Sequence, residues 1–274
     1  MVNNVRGLTG KVAIVTGATK DMGEAVAERL GAEGEKVVCC GRDQHRGENC
    51  AARIRASGGE AQYVRVDVGV EDEVRNVIAT AVSKFGRLDI VVNLAAAVDA
   101  IRGGGARRVT EETNESLMRQ ININVIAPFW FFKHAIPEMQ KTAGGNFVNV
   151  SSLTGRMPPP GLPSYSMSKA ALEGLSRQVA VDYGDSNIRS NCIVVGAIRT
   201  SLNDQMHDHP VAGPALRQSQ ILRRSGVPAD IASMIAFLDS DESSFITGQD
   251  FPVDGGASVK MVLPDLTSFR GAPG

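Results

Sequence analysis

The segment KVAIVTGATKDMG, residues 11–23, decides the fold class of this chain. Its first half is an uninterrupted apolar run and predicts a buried β-strand over residues 11–16. A glycine turn follows, and apolar residues at helical spacing predict a helix over residues 23–33. At such a junction, unpaired backbone N–H groups and the positive end of the helix dipole point to the same place. The segment therefore predicts an anion-binding turn at the start of a βα unit.

The same alternation of short apolar runs and longer amphipathic stretches continues along the chain. Further strands are predicted over residues 36–40, 61–68, 88–94, 146–150, 188–195 and 249–253, and further helices over residues 44–56, 71–85, 111–140, 165–183 and 229–239. Strands that are apolar throughout are typical of a sheet covered on both faces. The pattern predicts an α/β fold with a doubly wound, Rossmann-type parallel sheet, helices on both faces, and a single domain over residues 1–274.

Composition excludes several classes of protein. With 29 Lys and Arg against 30 Asp and Glu among 274 residues, the chain lacks the basic surplus of a nucleic-acid-binding protein. No apolar run approaches the roughly 20 residues of a membrane span, and the N-terminus has no signal-peptide core. Its four cysteines show no zinc-binding spacing. We expect a cytoplasmic protein with buried thiols, no metal, and neither nucleic acid nor membrane as a partner.

Three regions do not fit the alternation. Residues 99–108 are rich in glycine and arginine, which favours a solvated loop over a contact with an anionic substrate. Residues 201–226 are polar and are predicted to form a substrate lid, since loops this long are usually functional or disordered. Within them, His207 and His209 have no acidic partner pattern, which argues against a metal pair. Residues 259–274 are predicted to be a C-terminal tail.

The glycine turn is interpreted as a dinucleotide-binding site. Gly17 permits the tight turn, and Gly23 lets the helix pack closely on the sheet. The second strand ends in Gly41-Arg42, at a place where an acid would bind a ribose 2′-hydroxyl and an arginine would accommodate a 2′-phosphate. The third strand ends in Asp67-Val68, where a polar side chain can reach an adenine edge.

A tyrosine and a lysine near the start of one predicted helix carry the candidate chemistry. Tyr165 and Lys169 are four residues apart and therefore share a helix face. An ammonium group near a phenol lowers the phenol pKa, as a general acid or base in carbonyl reduction requires. Ser152 lies just beyond the strand predicted over residues 146–150 and thirteen residues before the tyrosine, at the kind of strand end where ligands bind.

Together these motifs make the chain resemble the short-chain dehydrogenase/reductase family, in its compact single-domain branch. The resemblance spans about residues 8–258 and rests on the glycine turn, Tyr165-x-x-x-Lys169 and Ser152. Weaker matches are Asp67-Val68, Asn93-Leu94-Ala95-Ala96, Asn124, Asn191 through Gly196 to Thr200, and Asp254-Gly255-Gly256.

The resemblance implies a role for each of these residues. Tyr165 would exchange a proton with a carbonyl or an alcohol, Lys169 would bind the nicotinamide ribose, and Ser152 would hydrogen-bond the substrate oxygen. Asn124, chosen over Asn122 by the sequence that follows it, would hold a water in a proton relay. The residues expected to contact the cofactor are Gly17, Thr19, Lys20, Asp21, Met22, Gly23, Arg42, Asp67, Val68, Asn93, Ala95, Tyr165, Lys169, Gly196, Ile198 and Thr200.

Three motifs depart from the family pattern. Asp21 replaces the middle glycine of the turn, where its carboxylate would either repel pyrophosphate or turn away and cap the helix. We favour the cap, since the other motifs are intact. Leu94 and Ala96 replace an asparagine and a glycine after the fourth strand, and Val195 replaces a proline before Gly196. The family also implies a homotetramer or a dimer.

We predict a nicotinamide-dependent oxidoreductase that transfers a hydride between its cofactor and a ketone or secondary alcohol. NADP(H) is favoured over NAD(H), because Arg42 and Lys20 are basic and Gly41 is not an acid, although Asp43 argues the other way.

The Tyr-to-Lys spacing of four disfavours an enoyl reductase, and the short chain disfavours an epimerase. The alternative is a catalytically silent dinucleotide sensor, to which Asp21 alone gives weight. An apolar substrate pocket is expected near Leu153, Met157, residues 158–160, Leu202 and Met206.

Overall fold

The predicted parallel sheet is present in a computed structural model that describes residues 7–98 and 107–260. Its seven strands are all parallel and lie in the order β3-β2-β1-β4-β5-β6-β7. The strands are β1 (Val12–Thr16), β2 (Lys36–Gly41), β3 (Glu60–Arg65), β4 (Ile90–Asn93), β5 (Gly145–Ser152), β6 (Ile188–Val195) and β7 (Asp250–Val253). The sheet is the doubly wound, Rossmann-type fold expected from the alternation of the sequence.

Helices cover both faces of this sheet. Those in the described residues include α1 (Asp21–Ala32), α2 (Gln44–Ala56), α3 (Glu71–Phe85), α4 (Asn114–Ile121), α5 (Ala127–Met139), α6 (Pro163–Tyr183), α7 (Asp204–Asp208), α8 (Ala212–Ser219) and α9 (Pro228–Asp239). Two apolar cores result, one packed under α1, α2 and α9 and the other under α3, α5 and α6. Neighbouring residues of β1 alternate between them, with Ala13 in the first core and Ile14 in the second. The continuous apolar runs therefore reflect burial on both faces.

The long helix predicted over residues 111–140 is divided into segments. A 3-10 turn (Val109–Glu111) precedes α4, whose first turn is capped by the Thr113 hydroxyl accepting from the Ser116 amide at 3.1 Å. A π-helical turn (Asn122–Ile126) then joins α4 to α5. Such turns contain one extra residue per turn and occur often at functional sites.

Regions outside the regular alternation are partly ordered into short helices. The predicted lid, residues 201–226, contains α7 and α8, and Gly226 pairs with Ile198 through a parallel bridge. Residues 99–106 and 261–274, which include most of the basic loop and of the C-terminal tail, lie outside the described residues. In the described part of the chain, no helix combines the length and apolar character needed to cross a membrane.

Candidate active site

The carboxyl ends of the central strands bring most of the predicted site residues to one edge of the sheet. Strand order reverses its direction between β1 and β4, and ligands of doubly wound folds bind in the crevice at such a point. Gly17 follows β1, Asn93 ends β4, Ser152 ends β5 and Gly196 follows β6. Residues that are 179 positions apart in sequence therefore face one crevice.

The glycine turn has the geometry that a phosphate-binding turn requires. Gly17 has φ +72°, and a Cβ there would lie 3.3 Å from the backbone of Ala95. A Cβ at Gly23 would lie 2.1 Å from the Gly17 carbonyl oxygen, so only glycine allows this approach of helix and turn. The Thr16 hydroxyl accepts from the amides of Leu94 and Ala95 at 2.9 and 3.0 Å, which joins the turn to the end of β4. These observations show a cradle that fits a dinucleotide phosphate.

Asp21 does not cap α1, and that expectation is wrong. The N-cap residue is Lys20, which makes no side-chain capping bond, and Asp21 itself adopts left-handed backbone with φ +49°. Its carboxylate instead accepts two hydrogen bonds from Ser201, one from the amide and one from the hydroxyl, each 2.9 Å long. The left-handed backbone turns the side chain away from the helix amides and towards the predicted lid. The Lys20 ammonium lies 4.0 Å from the same carboxylate.

The second and third strands end beside this turn. Arg42 is exposed, and among the described residues it has no hydrogen bond or ion pair. Asp43 caps α2 by accepting from the Arg46 amide at 3.0 Å, so its carboxylate is committed to the helix. Asp67 lies two residues beyond the end of β3, which is shorter than predicted, and accepts from the Gly69 amide at 2.9 Å.

Residues after β4 and β6 complete the cofactor side of the crevice. Asn93 is buried, and its side chain donates to Asn149 at 2.9 Å, which joins β4 to β5. Ile198 is also buried, and the Thr200 amide and hydroxyl both donate to Asn203, at 2.8 and 3.2 Å. The backbone after β6 is thus folded tightly against the start of the lid. The remaining predicted contacts, Thr19, Met22 and Val68, lie in or beside these same strand ends.

Tyr165, Lys169 and Ser152 are brought together at the junction of β5 and α6. The Lys169 ammonium donates to the Val150 carbonyl at 2.7 Å and lies 5.8 Å from the centroid of the Tyr165 ring. Burial lowers the pKa of Lys169 to about 8, against a smaller opposing effect of Cys192. The Ser152 hydroxyl accepts from Thr154 and forms a hydrogen bond with the Tyr165 phenol. The three groups therefore form one contiguous cluster.

The expected lowering of the Tyr165 pKa by Lys169 is not what this geometry produces. Burial raises the pKa of Tyr165, and the hydrogen bond with Ser152 offsets part of that rise. The neutral phenol is favoured because a phenolate would lose hydration in this setting. Tyr165 therefore carries its proton at neutral pH.

Asn124 lies in the π-helical turn, inside a buried polar network. Its side-chain oxygen accepts from the Ala97 amide at 3.0 Å, and its amide group donates to Gln120 at 2.6 Å and to Ser168 at 2.9 Å. Ser168 stands next to Lys169 and donates to the Tyr165 carbonyl at 2.8 Å. This network links the end of β4, the π-helical turn and the tyrosine helix. Sequence reasoning missed Gln120, whose polar side chain at four residues before Asn124 was the available signal.

Glu173 is a second residue that sequence reasoning missed. It is 5% exposed, lies one helical turn beyond Lys169, and accepts from the Ser151 hydroxyl at 2.7 Å. Its other oxygen accepts from Arg156 at 3.0 Å. Glu173 therefore ties the end of β5 and the turn after it to the tyrosine helix. Spacing of eight residues from Tyr165 on the same helix face was the signal in the sequence.

The described residues contain no group of three or more His, Cys, Asp or Glu side chains placed to hold a metal. His207 is buried, and its Nδ1 lies 2.8 Å from the Ser225 hydroxyl, while His209 makes contacts with backbone amides. All four cysteines are free thiols in the interior.

Comparison with known proteins supports the resemblance to the short-chain dehydrogenase/reductase family over most of the chain. A family model described as enoyl-(acyl carrier protein) reductase matches residues 17–258. The chain is 39% identical over 255 residues to 2,5-dichloro-2,5-cyclohexadiene-1,4-diol dehydrogenase LinX of Sphingobium indicum, covering 92% of this chain and 98% of that one. It is 35% identical over 254 residues to dehydrogenase/reductase SDR family member 4 of Homo sapiens, covering 93% and 90% of the two chains.

Solved structures give the same result. A 7α-hydroxysteroid dehydrogenase complexed with NADH and 7-oxo glycochenodeoxycholic acid superposes with a TM-score of 0.85 at 33% identity, covering 92% of this chain and 96% of that one. A short-chain type dehydrogenase/reductase from Mycobacterium ulcerans has a TM-score of 0.85 at 30% identity, over 95% and 94% of the chains. Motifs, fold and relatives agree, and the chain is an oxidoreductase that belongs to the NAD(P)-dependent short-chain dehydrogenase/reductase family.

Proposed function

We propose that this protein interconverts a ketone and a secondary alcohol with NADP(H) as its preferred cofactor. The observation that carries the proposal is the cluster of Ser152, Tyr165 and Lys169 beside the glycine turn. A bound nicotinamide supplies the hydride chemistry, and the protein contributes binding, orientation and the proton. The test is a panel of ketones and secondary alcohols with each cofactor, followed by nicotinamide absorbance. Absence of turnover on the whole panel, with cofactor bound, would favour the silent sensor.

Tyr165 serves as the proton donor in the reducing direction. Its raised pKa keeps the phenol protonated at neutral pH, so the phenol can give its proton to the substrate oxygen as that oxygen gains charge. Ser152, already hydrogen-bonded to the phenol, is placed to donate to the same oxygen. In the oxidising direction the proton returns to Tyr165, which then requires the nearby positive charge of Lys169.

Lys169 and Asn124 support this proton transfer. An ammonium group has three donors, and Val150 takes one, which leaves two for a ribose. The carbonyl of Asn124 has no α-helical partner, because the residue four positions later is Pro128, which lacks an N–H. We propose that this carbonyl holds a water in a proton relay, the role that the family resemblance implies for Asn124.

The preference for NADP(H) follows from the end of β2. Arg42 presents a guanidinium there that has no partner among the described residues, and the Asp43 carboxylate caps α2. A Cβ at Gly41 would lie 2.4 Å from the Thr19 side chain, so the packing disfavours an acid at the position that would bind a 2′-hydroxyl. Since a hydrogen bond to a charged group is worth about 1.5–3 kcal/mol, Arg42 would favour NADP(H) by roughly tenfold to a hundredfold.

The experiment compares kcat/KM for NADP(H) and NAD(H) in the wild type and in Arg42→Ala. We expect the ratio to fall by at least about tenfold in the variant. Arg46→Ala, which removes an exposed arginine one helical turn further on, is the matched control and should preserve the ratio. Equal efficiency with NAD(H) in the wild type would refute the preference.

The surroundings of the site suggest an apolar substrate and an oligomer. Met157, in the turn after β5, and Met206, within the proposed lid of residues 201–226, are 51% and 46% exposed. Met118 and Phe129 are also about half exposed, on the helices that flank the π-helical turn. We propose that these helices pack against a second copy in a cytoplasmic homotetramer or dimer. Sedimentation would measure the mass of the assembly.

A further inference from the structure

Asp21 combines two unusual features in the glycine turn. It is one of only three non-glycine residues with positive φ in the described part of the chain, the others being Asn187 and Arg223. Left-handed backbone is unfavourable for a residue with a Cβ, although aspartate tolerates it better than most. Such conformations persist where surrounding contacts hold them, and they cluster at ligand sites. The contacts that hold Asp21 therefore deserve a functional explanation.

Those contacts connect two segments that are 180 residues apart. Both oxygens of the Asp21 carboxylate are used, one by the Ser201 amide and the other by the Ser201 hydroxyl. Ser201 is the first residue of the proposed lid, and it follows Thr200 directly. Asn203 closes this first turn by accepting from Thr200 and donating to the Ile198 carbonyl at 2.8 Å. Residues 198–203 thus form a compact unit that Asp21 attaches to the glycine turn.

We propose that Asp21 is a positioning residue that latches the start of the lid, and with it Thr200, onto the dinucleotide-binding turn. The carboxylate acts through Ser201 and need not touch the cofactor. Two hydrogen bonds and the nearby Lys20 ammonium partly compensate its negative charge, which would otherwise oppose a bound phosphate. Movement of the lid away from the crevice requires these bonds to break. The identity of the ligand rests on the proposed function, whereas the latch is a property of the chain alone.

The latch is tested first by hydrogen exchange of the protein without cofactor. In Asp21→Gly, peptides covering residues 199–209 should exchange at least about tenfold faster, because the Ser201 amide loses its acceptor. Glycine adopts φ +49° freely, so this variant should fold. Asp21→Asn retains an oxygen acceptor without the charge and should keep exchange within about threefold of the wild type. Unchanged exchange in Asp21→Gly would overturn the proposal.

Cofactor dissociation, followed by nicotinamide fluorescence in stopped flow, is the second measurement. NADPH should leave Asp21→Gly at least about fivefold faster than the wild type, and Asp21→Asn should stay close to the wild type. Equal dissociation rates for the glycine variant and the wild type would show that the latch does not position Thr200. If the wild type binds no dinucleotide while Asp21→Gly still loosens residues 199–209, the proposed function fails and the latch stands. If NADPH binds but exchange is unaffected, the latch fails and the function stands.

Discussion

The two edges of the parallel sheet bury polar groups in different ways. At the carboxyl edge, Asn124 uses its oxygen and its amide group in three hydrogen bonds, to Ala97, Gln120 and Ser168. At the amino edge, Glu35 and Asp239 are each 1% exposed. There, both oxygens of Glu35 and one oxygen of Asp239 lack a partner among the described residues. Both polar groups of the Asn124 side chain therefore have partners, whereas the two acids at the amino edge keep oxygens without a partner among the described residues.

The two edges therefore differ in their effect on the protein. The hydrogen-bond network at the carboxyl edge orders the candidate site, whereas the buried acids at the amino edge lower the free energy of unfolding. A satisfied network holds its members in one arrangement, as a site for proton transfer requires. Burial raises the pKa of Asp239 to about 7, and burial together with the charge of Asp239 raises the pKa of Glu35. The repulsion between two such acids is relieved when one of them keeps its proton. At pH values where the unfolded chain would release that proton, keeping it lowers the free energy of unfolding.

The largest expected effect is the loss of turnover when the Tyr165 hydroxyl at the carboxyl edge is removed. Tyr165→Phe removes the proposed proton donor and little volume, so kcat should fall at least about a hundredfold. Cofactor affinity, measured by fluorescence titration, should stay nearly unchanged. Tyr183→Phe, at the far end of the same helix, is the control and should retain wild-type turnover. Retention of even a tenth of kcat in Tyr165→Phe would disprove the assigned role.

An intermediate effect, on the free energy of unfolding, is expected when the buried acid Asp239 at the amino edge is made neutral. The folded-state pKa of Asp239 is raised, so stability decreases as pH rises from about 4 to about 7 and the penalty is complete above that range. Asp239→Asn removes the penalty and keeps an acceptor for Asn146, which donates at 2.6 Å. Since one pKa unit is worth about 1.4 kcal/mol and two acids share the proton, we expect a gain on the order of 2 kcal/mol at alkaline pH.

Denaturant unfolding of Asp239→Asn at several pH values measures this gain. The advantage over the wild type should shrink as pH falls towards 4 and disappear at lower pH, where the wild-type acid is protonated in both states. Asp241→Asn alters an acid two residues away whose side chain is 69% exposed, and it serves as the control. A pH-independent difference for Asp239→Asn would count against a raised pKa.

The smallest effect on turnover should come from weakening the bonds by which Glu173 ties the end of β5 to the tyrosine helix. Glu173→Gln keeps an acceptor for Ser151 but loses the charge paired with Arg156. Ser152 and Tyr165 should then be less well positioned, so we expect kcat to fall about fivefold to tenfold with little change in KM. Asp182→Asn, on the exposed part of the same helix, is the control. A change in KM alone, with kcat preserved, would assign Glu173 to substrate binding instead.

Sequence reasoning predicted the features that residues close together in the chain determine, namely strands, helices and the face of a helix on which a side chain lies. Apolar runs predict the strands, and the spacing of Tyr165 and Lys169 places both on one helix face. The π-helical turn was missed because residues 111–140 continue a helical pattern through it. The bonds from Ser201 to Asp21 cross 180 residues, and no periodicity encodes such a contact. The sign of the Tyr165 pKa shift likewise depends on burial and on an actual distance, which sequence spacing leaves open.

Left-handed backbone at residue 21 also limits how this position can change during evolution. Glycine, asparagine and aspartate are the residues that enter this region readily. In the genetic code, aspartate lies between the other two, one nucleotide from each. A lineage can therefore exchange a bare glycine turn for one that carries a carboxylate, and then remove the charge, without passing through a residue that the backbone rejects. Attachment of the lid is thus open to gradual adjustment by point mutation at a single codon.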